Sequence, residues 1–405
     1  MSQLAQFEND HSAAEIHSLV DGLTETVEGL SADRRERMLQ RAADLFLAGS
    51  RRYSDQQIAV FDDVLLKLSS DIETKARAKL AGKIAGVKNA PPKLVRSLAF
   101  DDEIEVAAPV LSCSEQLTDD DLVQNARTKS QKHLLAIAQR LKLSEAVTDV
   151  LVERGNKRVV QSVAENRGAR FSLAGYEGLT VRAYENRRLA LALSARSDLP
   201  RQYFIKLVEN ASASVRSKLE AANPQAAAAI REAVDEVASN MQQEARQVSQ
   251  EFAAAKRDAR IRFRAHAISE ANVHAPARAQ EFEKVLVSLA RLGGYPLDLV
   301  ERALLDEGGD MLLILAKAAD CSWITVRELL QMQAAGRKLA ADDLAQAFDR
   351  YQKLSAKTAG RILNFRTERM KQRARSGRSQ RSGQKAQGSR VVSAALPRDR
   401  AVSSK

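Results

Sequence analysis

Apolar residues recur along most of this chain at intervals of three and four, the spacing of one face of an α-helix. Within residues 12–90, one such face consists of Ile16, Leu19, Val20, Leu23 and Val27. Ser54 followed by Gln57 fits a capping box at the start of a further helix. No sustained alternation of apolar and polar residues indicates a strand. The pattern therefore predicts an all-α protein.

The pattern becomes quasi-periodic between residues 93 and 222. Successive short segments align at spacings of 27, 26, 30 and 26 residues through Val110, Ile137, Val163, Leu193 and Leu219. A second apolar segment lies between each aligned pair. Because two short helices cannot bury an apolar face alone, one helix pair per repeat predicts a right-handed α-solenoid or a compact helical array. The segment DDEIEVAAPVL is similar to a HEAT-repeat helix, although HEAT repeats are longer, at about 40 residues.

Prolines and a heptad pattern divide the chain further. Pro91 and Pro92 interrupt a helix, which places a boundary near Asn89. A long helix is expected from Pro224 to about Ser269, with a heptad series of Val234, Ala238, Met241, Ala245, Val248, Phe252, Ala255 and Ala259. This helix either forms a homodimer through residues 230–260 or connects along its own solenoid. The predicted regions are N-terminal helices (1–90), a HEAT-like solenoid (91–223), the connector (224–276), a C-terminal helical bundle (277–367) and a tail (368–405).

Positive charge is concentrated at the C-terminus. Residues 366–405 contain twelve Lys or Arg and two acidic residues, which is +10 of the chain's net charge of +11. Large apolar residues are nearly absent from Met370 to Val391, which predicts a disordered basic tail. We expect no signal peptide and no membrane span. With Cys113 and Cys321 expected to be buried free thiols, the protein is predicted to be cytoplasmic.

Several segments carry a resemblance to a known family. They are LAFDDEIEVAAPVL, LLAIAQRLKLSEAVTDVLVERGNKRVVQSVAENRGARFS, LDLVERALLDEGGDMLLILAKAADCSWITVRELL and LSAKTAGRILNF. Together they resemble the proteobacterial family known as domain of unknown function 2336, over most of residues 30–367. The resemblance implies a bacterial helical-repeat protein, and it assigns neither an activity nor a site residue.

The sequence offers no catalytic, metal-binding or cofactor motif. Its histidines are scattered without an HExxH motif, and His133 on a repeat helix suits a structural role. The run Asp119–Asp121 lacks the spacing of an EF-hand and suits helix capping. Gly293–Gly294 and Gly308–Gly309 suit helix ends, not a phosphate loop. We therefore expect no metal, no cofactor and no enzymatic activity.

One hairpin, at residues 312–332, has the spacing of a helix-turn-helix. Ala316, Asp320 and Val326 follow its order of small residue, turn residue and apolar residue. Asp320 stands where a left-handed residue is usual, and Trp323 and Glu328 fall on or near the reading helix. An ordinary helical hairpin within a bundle gives the same pattern, so both interpretations stay open.

Two functions follow from these features. The first is a non-enzymatic helical-repeat scaffold that binds an unidentified protein, with the basic tail adding electrostatic attachment. Its expected protein-binding residues are Arg158, Glu165, Arg187 and Arg188. The alternative is a nucleic-acid-associated regulator that uses the tail and the hairpin at 312–332. The tail could equally attach to an anionic surface, and its expected anion-binding residues are Arg373, Arg375, Arg378, Arg381 and Lys385.

Overall fold

The computed structural model describes residues 32–70, 72–265, 268–306, 308–334 and 339–368. Most of these residues are α-helical, and within them the β-structure is limited to one bridge between Leu143 and Ala169. The prediction of an all-α fold is confirmed. The predictions for residues 1–31 and for the tail lie outside the described residues.

The first part of the chain is a series of short helices. In chain order they are α1 (Ala32–Gly49), α2 (Asp55–Ser69), α3 (Thr74–Ile84), α4 (Pro92–Ala99), α5 (Ile104–Cys113), α6 (Asp119–Thr128), α7 (Gln131–Ala138), α8 (Glu145–Arg154), α9 (Lys157–Glu165), α10 (Leu173–Ala183), α11 (Arg187–Ser194) and α12 (Arg201–Ala222). The predicted capping box at the start of α2 is present, with Ser54 and Gln57 exchanging hydrogen bonds.

These helices stack in two layers. In one layer α1, α3, α5, α7, α9 and α11 contact each other in turn, and in the other α6 contacts α8, α8 contacts α10, and α10 contacts α12. A single hydrophobic core runs through the stack from Leu39 to Leu207. The stacking of helix pairs agrees with the prediction, and the HEAT-like classification stays a prediction.

The aligned apolar residue is buried in the first four predicted repeats and exposed in the fifth. Val110, Ile137, Val163 and Leu193 are completely buried, whereas Leu219 is 46% exposed. The reason is that α12 continues as a single 22-residue helix and has no buried side chain beyond Val208. The predicted fifth helix pair is therefore wrong.

The hydrophobic core continues across residue 90. Pro92 occupies the first turn of α4, where its missing N–H costs nothing, and Leu94 and Val95 in this helix are fully buried. Before it, Leu80 and Ile84 belong to the same core. The paired prolines thus begin a helix within a continuous core, and the predicted boundary near Asn89 does not separate two cores.

The chain forms two compact units, Met1–Ala238 and Ser239–Lys405. The second group of helices follows a 3-10 turn at Pro224–Ala226. It comprises α13 (Ala227–Val248), α14 (Gln250–Ala265), α15 (Ala271–Arg278), α16 (Phe282–Gly293), α17 (Leu297–Leu305), α18 (Asp310–Ala318), α19 (Trp323–Gln333), α20 (Ala341–Lys353) and α21 (356–368). The helices from α14 to α20 contact one another as a bundle, as expected for the C-terminal region.

The predicted long connector is two helices. Ser249 interrupts it, and the Ser249 hydroxyl accepts a hydrogen bond from the backbone N–H of Phe252, so that it caps α14. Phe252, Ala255 and Ala259 are buried, because α14 packs against α16. The second half of the heptad seam is thus used within the second unit. The homodimer through residues 230–260 stays a prediction, now limited to α13, in which no side chain is buried.

Candidate interaction surface

Side chains of one repeat close the carboxyl ends of helices in the repeat before it. Arg140 donates to the carbonyls of Leu111 and Ser114 at 2.7 Å, and Asn166 donates to those of Ala138 and Arg140 at 3.0 and 2.7 Å. These carbonyls lack partners within their own helices, because the last turn of a helix leaves them unpaired. These hydrogen bonds therefore fix the position of each helix of one layer relative to the next helix of that layer.

Arg196 makes the densest set of these contacts. It donates to the carbonyls of Ala164, Asn166 and Ala169 at 3.2, 2.7 and 2.7 Å, and it pairs with Asp198 at 2.8 Å. Its side chain is only 7% exposed. A guanidinium suits this position because its N–H groups diverge in one plane and can serve several acceptors at once.

The other layer is closed in the same way. Asn125 donates to Ala99, Arg154 to Ala126, and Arg182 to Gly155 and Glu153 at 2.7 and 2.8 Å. We call the six donors Asn125, Arg140, Arg154, Asn166, Arg182 and Arg196 the carbonyl ladder. These hydrogen bonds have a structural role. By fixing the carboxyl end of one helix, each also positions the amino end of the helix that follows it in the chain.

Those amino ends form one edge of the stack. The Gln131 side chain, at the start of α7, donates to the Arg154 carbonyl and accepts from the Asn156 backbone N–H at 2.9 and 2.7 Å, next to the start of α9. Asn156 and Asn186 cap α9 and α11. Arg182 ties the segment before α11 to the segment before α9. The starts of α7, α9 and α11 are therefore neighbours.

Exposed basic side chains occupy the first turns of these three helices. We call Lys132, Lys157, Arg158, Arg187 and Arg188 the basic edge. Among the residues described by the structure, only Arg188 of these five lies within 4 Å of a carboxylate. That carboxylate is Glu165, at 3.6 Å, and both partners are largely exposed. Four positive charges on this edge thus have no ion-pair partner in the described residues.

The basic edge differs from several other helix starts of the protein, which carry acidic residues. Asp55 opens α2, Asp119–Asp121 open α6 and Asp298 opens α17. Acidic residues there interact favourably with the positive end of the helix dipole, whereas basic residues cost about 0.3–1 kcal/mol each. The first turns of α7, α9 and α11 contain no acidic residue. The charged side chains in the first turns of these three helices are therefore all positive.

The structure brings the predicted protein-binding residues together. Arg158, Arg187 and Arg188 lie on the basic edge, and Glu165 at the end of α9 accepts a hydrogen bond from Gln161 at 2.6 Å beside Arg188. Sequence reasoning missed Lys132 and Lys157. The signal was present in the chain, because each follows within two residues of the N-cap, Ser130 or Asn156. The predicted tail residues Arg373, Arg375, Arg378, Arg381 and Lys385 lie outside the described residues.

Two predicted structural roles are confirmed. The Thr118 hydroxyl and the Asp121 carboxylate form a capping box, so the acidic run Asp119–Asp121 opens α6 as expected. His133 is buried, with its ring nitrogens 2.8 Å from the Ser130 hydroxyl and 3.0 Å from the Asp101 carbonyl. Both features stabilise helix ends.

The cysteines differ from each other. Cys321 is buried, and burial raises the pKa of its thiol to about 12. Cys113 is exposed, so the prediction that both are buried is wrong for Cys113. It is the last residue of α5, and the buried residues of this helix end at Leu111. Burial at a helix end depends on the neighbouring repeat, which periodicity alone does not reveal.

The hairpin at 312–332 has the predicted turn. Asp320 adopts a left-handed conformation, with φ of 55°. Trp323, however, packs edge-on against Phe348 at 5.0 Å between ring centres and also contacts Tyr351. Arg327 is the only basic residue of α19, and it pairs with Glu328 at 2.9 Å. The hairpin is integrated into the second bundle, and α19 offers one base to a phosphate chain.

A carboxylate closes the amino end of α19. Glu270 accepts hydrogen bonds from the Ser322 backbone N–H and hydroxyl at 2.7 and 2.6 Å. Burial opposes its ionisation, but these bonds and one from Thr325 outweigh it and lower the pKa of Glu270. His274 stands nearby, 3.5 Å from the Thr325 hydroxyl. The group acts as a helix cap.

An open depression in the described residues has a volume of about 740 Å³. It lies beside the turns between α2 and α5 and includes the partly buried ion pair of Arg77 with Asp101, at 2.8 Å. The Asp101 carboxylate also accepts from the Glu103 N–H, and Arg77 also donates to the Ile72 carbonyl. These polar groups are satisfied within the protein, so the depression is shaped by turn closure.

Comparison with known proteins identifies the family. The sequence model of a bacterial family, described as an uncharacterised protein conserved in bacteria (domain of unknown function 2336), matches residues 106–364. No curated protein and no solved structure matches the chain. Within the described ranges, no helix is both long and apolar enough to cross a membrane.

Proposed function

Since the chain belongs to the bacterial family of domain of unknown function 2336, to which no activity is assigned, we propose from the structure that it is a non-enzymatic, cytoplasmic scaffold that binds another protein through its helical repeats. The basic edge is the observation that carries this proposal. Four of its five charges lack an ion-pair partner in the described residues, and all five stand where they weaken their own helices. A partner that supplies the missing negative charge would offset that cost.

The carbonyl ladder supports the same proposal. Arg182 of the ladder, together with Gln131, holds the starts of three helices side by side, so the backbone of the basic edge is already ordered and loses little entropy on binding. Repeat proteins commonly bind partners in this way, because stacking supplies the core and leaves one row of residues available.

A capture experiment with matched variants tests the proposal. Full-length protein is compared with the triple variant Arg158→Glu, Arg187→Glu, Arg188→Glu and with the control Arg51→Glu, Arg52→Glu, Lys88→Glu. Both triple variants change the net charge equally, and the control bases are also exposed. We expect one or more proteins to be retained by the wild type and the control and lost by the edge variant. The lost protein must then bind the purified wild type directly; equal capture by all three would refute the proposal.

The nucleic-acid-associated regulator stays as a second candidate. Its support is the net charge of +10 over residues 366–405 and the helix-turn-helix turn at Asp320. Duplex and single-stranded DNA titrations across salt, with full-length protein and a 1–369 truncation, test it. Salt-dependent binding lost with the tail would indicate electrostatic attachment alone, and retained sequence-dependent binding would indicate reading by the hairpin. No binding by either form would exclude this candidate.

A further inference from the structure

The composition of the basic edge indicates the chemistry of its partner. Leu191 lies three and four residues after Arg188 and Arg187, on the same face of α11, and is 60% exposed. An apolar side chain of this size beside Arg187, which has no ion-pair partner in the described residues, favours a ligand with both carboxylates and apolar groups. An acidic amphipathic protein segment has both.

The same surface is poorly suited to a phosphate chain. Glu165 lies 3.6 Å from Arg188 and would repel a phosphate there, and no Phe, Trp or Tyr occurs in α7, α9 or α11 to stack on a base. Glu153 and Glu185 are also exposed in the segments that precede α9 and α11. A protein segment can place its few carboxylates opposite the bases and away from these acids, which a phosphate chain with a charge on every nucleotide cannot do.

The helix stack also sets the spacing of the partner's charges. Packed helices lie about 8–10 Å apart. The basic residues at the starts of α7, α9 and α11 therefore recur along the edge at about that interval. A helical peptide rises about 1.5 Å per residue, so acids about six or seven residues apart match it. Spanning α7 to α11 requires a helix of about 14 residues.

We propose that the basic edge binds an acidic amphipathic helix of a partner protein, with carboxylates recurring about every seven residues on Lys132, Arg158 and Arg187 and apolar side chains against Leu191. This inference rests on the proposed scaffold function and adds the partner's chemistry. The basic tail would then raise the local concentration of the same acidic partner through long-range attraction.

A peptide titration tests this inference. The probe is an Ala-based peptide of about 18 residues with Glu pairs about seven residues apart and Leu on the same face; its matched control has Gln in place of Glu. The protein used is the full-length chain in which five tail bases are replaced by Gln, namely Arg373, Arg375, Arg378, Arg381 and Lys385. These substitutions reduce the competition of the tail with the basic edge for the acidic peptide. We expect the Glu peptide to bind at least about tenfold more tightly than the Gln peptide, with affinity falling as salt rises.

The edge variant described above should weaken binding of the Glu peptide at least about tenfold, and the Arg51, Arg52, Lys88 control should not. Equal binding by both variants would overturn the inference. So would an oligonucleotide that binds the edge more tightly than the Glu peptide and is lost with the same substitutions. If a captured protein depends on the edge but the Glu and Gln peptides bind equally, the scaffold function stands and the acidic-helix inference fails.

Discussion

At the scale of single residues, the helix ends carry most of the specific interactions of this fold. Arg196 closes three carbonyls at once, and Glu270 acts at the opposite kind of end by accepting from the N–H of Ser322, the residue before α19. Such contacts matter because an unpaired buried carbonyl costs about 1–3 kcal/mol. The substitutions that should reveal them are therefore those that remove one donor or acceptor.

Replacing Arg196 with Met should destabilise the first unit by about 2–4 kcal/mol, because three carbonyls lose their donor. The matched substitution Arg51→Met, at an exposed position outside the helices, should change stability by less than about 0.5 kcal/mol. Urea unfolding followed by circular dichroism measures both. Equal effects of the two substitutions would show that the ladder contributes nothing specific.

The two thiols should react differently in the folded protein. Cys113 is exposed, whereas burial raises the pKa of Cys321 to about 12 and leaves it protonated near pH 8. An aromatic disulfide reagent should therefore label one thiol per folded chain and two after unfolding. The Cys113→Ser variant should label only when unfolded, and rapid labelling of that folded variant would contradict the buried position of Cys321.

At the scale of elements, helices are joined by side chains from distant parts of the chain. Glu270 and Ser322 are 52 residues apart, and their bond joins the residue before α15 to the start of α19. Trp323, the only tryptophan of the chain, is the first residue of α19. Its fluorescence is therefore a direct reporter of whether this contact is intact.

Stability of the second unit should depend on pH through Glu270. Its pKa is lower in the folded protein than in the unfolded chain, so the unfolded state binds more protons as acid is added. The stabilisation is complete above the carboxyl's usual pKa and is lost as pH falls through the folded value. Urea unfolding followed by Trp323 fluorescence should show this loss in the wild type.

The Glu270→Gln variant should be less stable by about 1 kcal/mol at pH 7, the usual cost of losing a helix cap. It should also lose less stability on acidification than the wild type does. Glu281→Gln, which removes an exposed pair with Lys284, is the control. A Glu270→Gln variant with the acid sensitivity of the wild type would refute this role for the carboxylate.

At the scale of the whole molecule, the bases of the basic edge lower the stability of the helices that they begin, and they give the repeats a positively charged surface. Reversing Arg158, Arg187 and Arg188 to Glu should raise the thermal stability of the first unit, by about 0.3–1 kcal/mol per helix end. Thermal unfolding by circular dichroism measures this against the Arg51, Arg52, Lys88 control. A less stable edge variant would mean that these bases serve the fold, and it would remove the reason to assign them to a partner.

The sequence predicted the features that depend on local periodicity. Buried Val110, Ile137, Val163 and Leu193 follow from helical spacing, and the turn at Asp320 follows from the order of neighbouring residues. Leu219 has the same spacing but is exposed, because burial also requires a helix to pack against it. Of the basic edge, Arg158, Arg187 and Arg188 were predicted, and Lys132 and Lys157 were not. A single sequence shows which residues begin a helix, but it does not show which helix ends become neighbours.

The carbonyl ladder gives the stack a direction. Each of its donors comes later in the chain than the carbonyls it closes, as with Arg140 on Leu111, Arg182 on Gly155 and Arg196 on Ala164. A repeat is thus completed only by its successor. Because synthesis proceeds from the amino end, each repeat leaving the ribosome would seal the one made just before it, and growth of the folded stack would keep pace with translation.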